Sequence, residues 1–311
     1  GGYLTQNYGW RTVFWVVLPV QIGSLILGWF TIKQVSVVVK EKLDWIGWLL
    51  LSTFFVTGIF MIERMSTHGF TNGYSIGLFV IMLGSILTYL WYAKREPSPL
   101  LDPQIFKFKT FSFSIAASFV TQTVNLTFNY AIPMALQIVL FQNAQVAGLA
   151  LLPGALGYAF MAIVSGRLYD RYGAKLPIMI GLSLMMIGTL CMAILPLSVA
   201  NMTLSFMIVQ LGAGFWFGNN MTHAVSHVAV AHQNAGNSIF SATNNYSAAV
   251  GIALAAGVLA IFQNQAVDSK AAFVAATRAG TVWMFRLDIL LIVIAGSLSL
   301  WALRVVKQRA L

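Results

Sequence analysis

Long apolar runs alternate with short polar segments along almost the whole chain. A helix of about 20 apolar residues is long enough to cross the hydrocarbon core of a bilayer. Each of these runs is nearly free of charge, whereas the segments between them collect most of the Lys, Arg, Asp and Glu. The pattern predicts nine membrane-spanning helices, at residues 10–32, 46–62, 76–93, 111–140, 147–165, 176–195, 203–219, 237–262 and 289–303.

The polar segments predict the connections between these helices. Residues 33–45 and 94–110 are basic linkers, 223–233 and 263–281 are predicted polar loops, and a basic tail follows the last span. Pro133 lies inside the long run 111–140 and predicts a kink there, because proline removes a backbone donor.

Composition agrees with a membrane protein and excludes several other classes. Hydrophobic residues make up 59% of the chain and charged residues 8%, with a mean hydropathy of +0.80, which no ordinary soluble domain shows. The formal charge of +10 is spread over loops and not gathered into a basic stripe, so nucleic-acid binding is not expected. The single cysteine, Cys191, excludes a disulfide within the chain. The fold class is therefore all-α and integral to the membrane.

No arrangement of residues predicts an enzyme, a cofactor or a metal site. Histidines cluster only at positions 223, 227 and 232, and no acidic or cysteine ligand accompanies them. We interpret them as a solvated helix end.

The charged segment at residues 166–175 separates two apolar runs and predicts a turn between two spans. Most of the 18 Lys and Arg lie in segments that would share a side with this turn, so the positive-inside rule places it, and the C-terminus, in the cytoplasm. Its pattern resembles the signature cytoplasmic loop of the major facilitator superfamily, through Gly166, Leu168, Asp170, Arg171, Gly173 and Lys175.

Two further stretches resemble the fourteen-span drug/proton antiporters of that superfamily. WRTVFWVVLPVQIG, from residue 10, is similar to the start of their sixth span, and LLDPQIFKFKTF, from residue 100, to the segment after their two additional spans. The resemblance implies a C-terminal fragment that begins near the end of the fifth span. It divides the chain into the end of the N-terminal bundle (1–32), two linker spans (33–110) and a C-terminal six-helix bundle (111–311).

Polar residues inside the spans are candidates for a substrate pathway, because burying them in lipid is costly. In the run 111–140, three amides follow a spacing of i, i+3 and i+7, which places them on one helical face. A hydrogen-bonded contact between helices explains such a face equally well. The candidates are Gln122, Asn125, Asn129, Gln210, Trp216, Asn244 and Asn245.

Two carboxylates are candidates for proton coupling. Glu63 lies at the end of the second predicted span and Asp288 near the start of the last. A carboxyl group that alternates between protonation states could couple proton entry to substrate exit. The alternative is an interfacial ion pair, with Arg64 or Arg286 respectively.

The resemblance implies that the whole protein is a multi-pass transporter of the plasma membrane. It would export lipophilic, often cationic drugs by alternating access, with protons moving inward. Its partners would be the small-molecule substrate, protons, the lipid bilayer and the absent N-terminal helices. Two alternatives remain open: a transporter of a defined metabolite, such as an amino acid, peptide or siderophore, and a membrane protein that transports nothing. The role implied for residues 166–175 is that of a cytoplasmic gate.

Overall fold

A computed structural model describes residues 2–31, 43–68, 73–97, 99–229, 232–264 and 269–309, and these residues form helices and short connections. Two brief turns adjoin α5: a 3-10 turn at Pro103–Lys107 before it and a π-helical turn at Ala135–Val139 after it. The α-helices are α1 (Gly2–Tyr8), α2 (Arg11–Thr31), α3 (Trp45–His68), α4 (Gly73–Ala93), α5 (Lys109–Met134), α6 (Ala144–Tyr172), α7 (Lys175–Ile194), α8 (Val199–Ser226), α9 (Gln233–Gln263) and α10 (Lys270–Arg309).

Eight of the described helices are long and apolar enough to cross a membrane, namely α2, α3, α4 and α6 to α10. The predicted span outside this set is 111–140, which corresponds to α5; its 26 residues reach about 39 Å but include many Ser, Thr, Asn and Gln. Its burial explains this composition: α5 packs against α8, α9 and α10, so most of its polar side chains meet protein and not lipid. The fold is an all-α membrane bundle.

The core of the bundle lies among α5 to α10. α8 packs closely on both α6 and α7, while α5 packs on α9 and α10. Phe128 of α5 and Phe285 of α10 are fully buried, with ring centroids 5.7 Å apart. Pro133 lies inside α5, and a π-helical turn at Ala135–Val139 follows it and continues the helix; the kink stays a prediction.

Helices α3 and α4 pack together and join the bundle through α9. The ring of Tyr246 in α9 lies 5.8 Å from Phe54 and 4.8 Å from Phe55 of α3, between centroids. The Tyr246 hydroxyl lies directly over Gly58, where a side chain would collide with it. Glycine at that position therefore allows α3 to approach α9.

Asp44 ties the beginning of α3 to the end of α4. Its carboxylate accepts hydrogen bonds from Gly47 N (2.7 Å), the Tyr92 hydroxyl (2.8 Å) and Leu100 N (3.1 Å). Burial alone would raise the pKa of Asp44, but these three donors outweigh it and hold the pKa below its usual value. The linker between α4 and α5 is thus anchored to the entry of α3.

Several predicted helix ends were wrong. Residues 166–172 do not form a loop, because α6 continues to Tyr172 and the connection to α7 consists of Gly173 and Ala174 alone. Likewise α8 runs to Ser226, and α10 starts at Lys270, so much of the predicted loop 263–281 is helical. Charged side chains can leave a helix end toward water, so they do not require the helix to stop. Most of linker 33–45 lies outside the described residues.

Candidate functional site

A cavity of about 430 Å³ opens among α5, α6, α8 and α9. This volume falls within the range of small-molecule sites, about 300–1,000 Å³. Its lining combines hydroxyls and amides with aromatic rings and a thioether. The lining residues are Ser118, Gln122, Asn125, Tyr158, Gln210, Phe217, Gly218, Met221, Phe240 and Asn244.

Close contact between α6 and α8 places the aromatic and amide residues side by side. A Cβ at Gly154 would lie 2.7 Å from the Phe206 ring and 3.1 Å from Gln210 Cγ. One at Gly214 would lie 2.6 Å from the Tyr158 carbonyl oxygen. Small residues at such crossings let helix backbones approach in a membrane, and here they set Tyr158 beside Gln210.

A chain of amides crosses from α5 to α8 at the cavity wall. Asn129 Nδ2 donates to the backbone carbonyl (2.8 Å) and the side-chain Oδ1 (3.2 Å) of Asn125. Asn125 Nδ2 in turn donates to Gln210 Oε1 at 2.6 Å. Because Oε1 is held in this way, the Gln210 amide has a defined orientation.

Four of the predicted pathway residues, Gln122, Asn125, Gln210 and Asn244, lie together at this cavity. Asn129 contributes indirectly, by orienting Asn125. Trp216 does not line the cavity, since it is fully buried against a core cluster that includes Ile178. The side chain of Asn245 is exposed and lies apart from the cavity.

Sequence reasoning missed several residues of the wall. The serine, glycine and apolar members gave no signal, because such residues are common on every face of a membrane helix. Phe217 adjoins the predicted pathway residue Trp216, but one position changes a helical direction by about 100°. The missed residues are Ser118, Tyr158, Phe217, Gly218, Met221 and Phe240.

Asp288 lies in the middle of α10 and is fully buried, which corrects its predicted place near the start of the last span. Its Oδ2 is 2.8 Å from the Thr127 hydroxyl of α5, and its Oδ1 has no hydrogen-bond partner among the described residues. The alternative of an ion pair with Arg286 is wrong, since the described part of the chain contains no such pair. Arg286 instead lies over the Trp283 ring.

The Thr127 hydroxyl can serve either protonation state of Asp288. It is also 2.7 Å from the Val124 carbonyl oxygen. A hydroxyl has one proton and two lone pairs, so it can donate to an ionised carboxylate, or accept from a protonated one while donating to Val124. Thr127 follows Asn125 by two residues and so points about 200° around α5, away from the cavity.

The other proton-coupling candidate is not placed. Glu63 belongs to α3, but its side chain lies outside the described part of the structure.

The charged end of α6 faces away from the bundle core. The Asp170 side chain is exposed, and it forms no hydrogen bond or ion pair with any described residue. Arg171 lies over the ring of Tyr172, with 5.3 Å between its guanidinium carbon and the ring centroid. Gly173 has a φ of 75°, which ends the helix in a conformation that favours glycine. Gly166, Leu168 and Lys175 complete this charged corner between α6 and α7.

The predicted solvated histidine end was also wrong in part. His223 is buried at the end of α8. His227 stacks on it at 4.6 Å between centroids, while His232 forms a 3.2 Å contact with Asp102. No group of three potential metal ligands occurs among the described residues.

Comparison with known proteins finds one matching family and several related proteins. The family described as Major Facilitator Superfamily matches residues 1–252 and 110–310. Lincomycin resistance protein LmrB of Listeria innocua is 25% identical over 272 residues, which cover 86% of this chain and 57% of that protein. Probable transport protein HsrA of Haemophilus influenzae is 26% identical over 275 residues, covering 85% and 57%. Multidrug resistance protein B homolog of Mycobacterium tuberculosis is 28% identical over 196 residues, covering 60% and 35%.

The chain thus spans a little over half the length of the first two relatives and about a third of the last. The helical membrane bundle agrees with the family match. The chain belongs to the major facilitator superfamily, a family of membrane transporters.

Proposed function

We propose that this chain forms the C-terminal wall of a substrate pathway, and that the whole protein exports lipophilic compounds, cations among them, in exchange for protons. The observation that supports this most is the cavity lined by amides and aromatic rings inside the membrane bundle. Aromatic rings attract flat lipophilic cations, and amides can orient polar groups. The names of the relatives, which refer to lincomycin and multidrug resistance, agree with export.

Asp288 is the proposed proton carrier. An ionisable side chain in the middle of a membrane bundle is costly, and such residues commonly belong to ion or proton pathways. The Thr127 hydroxyl can bond to Asp288 in both of its protonation states, so Asp288 can bind and release a proton while its Oδ2 keeps a hydrogen-bond partner. Because α5 contributes Thr127 on one side and the cavity amides on the other, movement of α5 would link protonation to substrate binding.

The residues 166–175 are proposed to act as a cytoplasmic gate. Their charges are exposed at the junction of α6 and α7, where Asp170 has no partner in the described chain. The division into residues 1–32, 33–110 and 111–311 and the cytoplasmic C-terminus remain predictions that belong to the same proposal.

The coupling is tested with Asp288→Asn in everted membrane vesicles that contain the full-length protein. Asparagine has nearly the same shape and keeps a contact with Thr127, but it cannot exchange a proton. We expect substrate-dependent proton release and uphill transport of ethidium to be abolished, while downhill exchange of ethidium continues.

Asp102→Asn is the matched control, since Asp102 lies in the turn before α5, and asparagine keeps an acceptor for Gln104 N and a hydrogen-bonding group toward His232 Nδ1. It should transport like the wild type. Full proton coupling in Asp288→Asn would refute the assigned role of Asp288. A wild-type protein that moves no cationic dye would refute multidrug export and favour a transporter of a defined metabolite.

A further inference from the structure

The amides of the cavity wall keep unused hydrogen-bond donors. Gln122 makes no hydrogen bond to any described residue through its side chain. Gln210 uses Oε1 to accept from Asn125, while its Nε2 has no described partner. Asn244 likewise leaves Nδ2 without one, and its Oδ1 is buried and unpaired. Three N–H donor groups, from three amides on α5, α8 and α9, are therefore available at one cavity.

The same wall carries no charge. None of the ten described residues that line the cavity is acidic or basic. The buried carboxyl group of Asp288 bonds to Thr127, on the opposite side of α5. This part of the cavity therefore cannot select a ligand by a salt bridge.

Apolar surfaces lie beside the donors. Tyr158, Phe217 and Phe240 present rings, and Met221 adds a thioether that adapts to irregular shapes. A ligand that fills this space would place an aromatic or aliphatic body against the rings and an oxygen acceptor toward the amides. Buried amide groups that find no acceptor are costly, so a ligand without oxygen acceptors would lose affinity.

We propose that this wall selects uncharged amphipathic solutes bearing carbonyl or hydroxyl oxygens, through the amide N–H groups of Gln122, Gln210 and Asn244. Asn129 and Asn125 act as positioning residues, because they fix Gln210 Oε1 and so direct Nε2. The inference rests on the proposed substrate pathway and adds the chemical class that this half of the pathway recognises. Cations would bind the same cavity only through its aromatic surface.

Two probes separate recognition by the amide N–H groups from recognition by the aromatic surface. Chloramphenicol carries an amide and two hydroxyls but no charge at pH 7, whereas tetraphenylphosphonium carries a charge but no hydrogen-bonding group. Binding of each is measured by equilibrium dialysis on the purified full-length protein, in wild type, Gln122→Leu and Asn244→Leu. Gln122→Leu is the sharpest variant, because Gln122 has no described hydrogen bond to lose on substitution.

We expect both variants to weaken chloramphenicol binding by about three- to tenfold, the effect of one lost hydrogen bond, and to leave tetraphenylphosphonium binding within about twofold. Retained tetraphenylphosphonium binding also shows that the cavity is folded. Asn245→Leu is the matched control: it changes the neighbouring amide on α9, which is exposed and does not line the cavity. It should alter neither probe.

The inference would be overturned if the variants lost binding of both probes equally, or if they lost no chloramphenicol binding. It would also be overturned if the wild type did not bind chloramphenicol. Vesicle transport distinguishes it from the proposed function. Amide-dependent chloramphenicol binding without proton-coupled transport would contradict export but leave the recognition by these amides intact. Proton-coupled efflux that does not depend on Gln122 or Asn244 for either probe would support export and refute the amide wall.

Discussion

The crossing of α7 and α8 depends on two glycines in direct contact, and an added methyl group there should have a measurable cost. A Cβ at Gly181 would lie 2.7 Å from the Gly212 carbonyl oxygen, 2.8 Å from Trp216 Cβ and 3.0 Å from Trp216 N. Carbon atoms in contact normally stay about 3.5–4.0 Å apart. These neighbours are backbone or Cβ atoms and cannot rotate away, so Gly181→Ala must push α8 outward by up to about 1 Å.

Overpacking of this kind costs about 1–3 kcal/mol, and the better helix propensity of alanine returns about 0.5–1 kcal/mol. We expect a net loss of about 1–2 kcal/mol in the free energy of unfolding, equivalent to roughly 1.5–3 °C in Tm for a chain of this length. The shift of α8 also displaces Gln210, which lies two residues before Gly212. Its 2.6 Å hydrogen bond from Asn125 should therefore be disturbed, and transport should fall together with stability.

Thermal unfolding in detergent, followed by tryptophan fluorescence, measures the change. Gly296→Ala in α10 is the control, because a Cβ there meets nothing within 4 Å. It should be neutral or stabilised by up to about 1 kcal/mol. If Gly181→Ala proved as stable as Gly296→Ala, the close α7–α8 crossing and the reasoning from it would be wrong.

Two further predictions concern helices α3 and α4. Asp44→Ala should reduce the free energy of unfolding by about 2 kcal/mol in detergent melts, because it removes the acceptor for three donors, among them the Gly47 N–H in the first turn of α3. Folding lowers the pKa of Asp44, so the ionised carboxylate stabilises the fold fully above pH 3.8, and this stabilisation is lost as the pH falls through the folded pKa. A stability deficit of Asp44→Ala that persists unchanged at pH 3 would contradict this. Gly58→Ala should lower the free energy of unfolding by about 1–2 kcal/mol, because the added methyl group collides with the Tyr246 hydroxyl and pushes α3 away from α9. Adding Tyr246→Phe removes that hydroxyl and should recover part of the loss in the double variant. Gly84→Ala is the control, because it adds a Cβ in open space. If Gly58→Ala and Gly84→Ala changed stability equally, the contact between Gly58 and the Tyr246 hydroxyl would be refuted.

Much of the architecture follows from the sequence because a membrane imposes a length on every apolar run. Runs of about 20 residues must become helices when no water is present to satisfy their backbone groups. The amide face of α5 was also predictable, since Gln122, Asn125 and Asn129 share a face by helical spacing alone. The exact helix ends were not, as α6 shows by continuing through its charged residues to Tyr172.

The sequence by itself therefore determined that the chain is a helical membrane protein, where most spans lie, and which α5 amides share a helical face. Only the tertiary structure decided that Gln210 and Asn244 meet them at a cavity, that Trp216 and Asn245 do not, and that Asp288 is buried against Thr127. The physical reason is that both lipid and protein interior accept apolar side chains. A membrane helix then has little amphipathic pattern to reveal its rotation, and packing against its neighbours sets which residues meet.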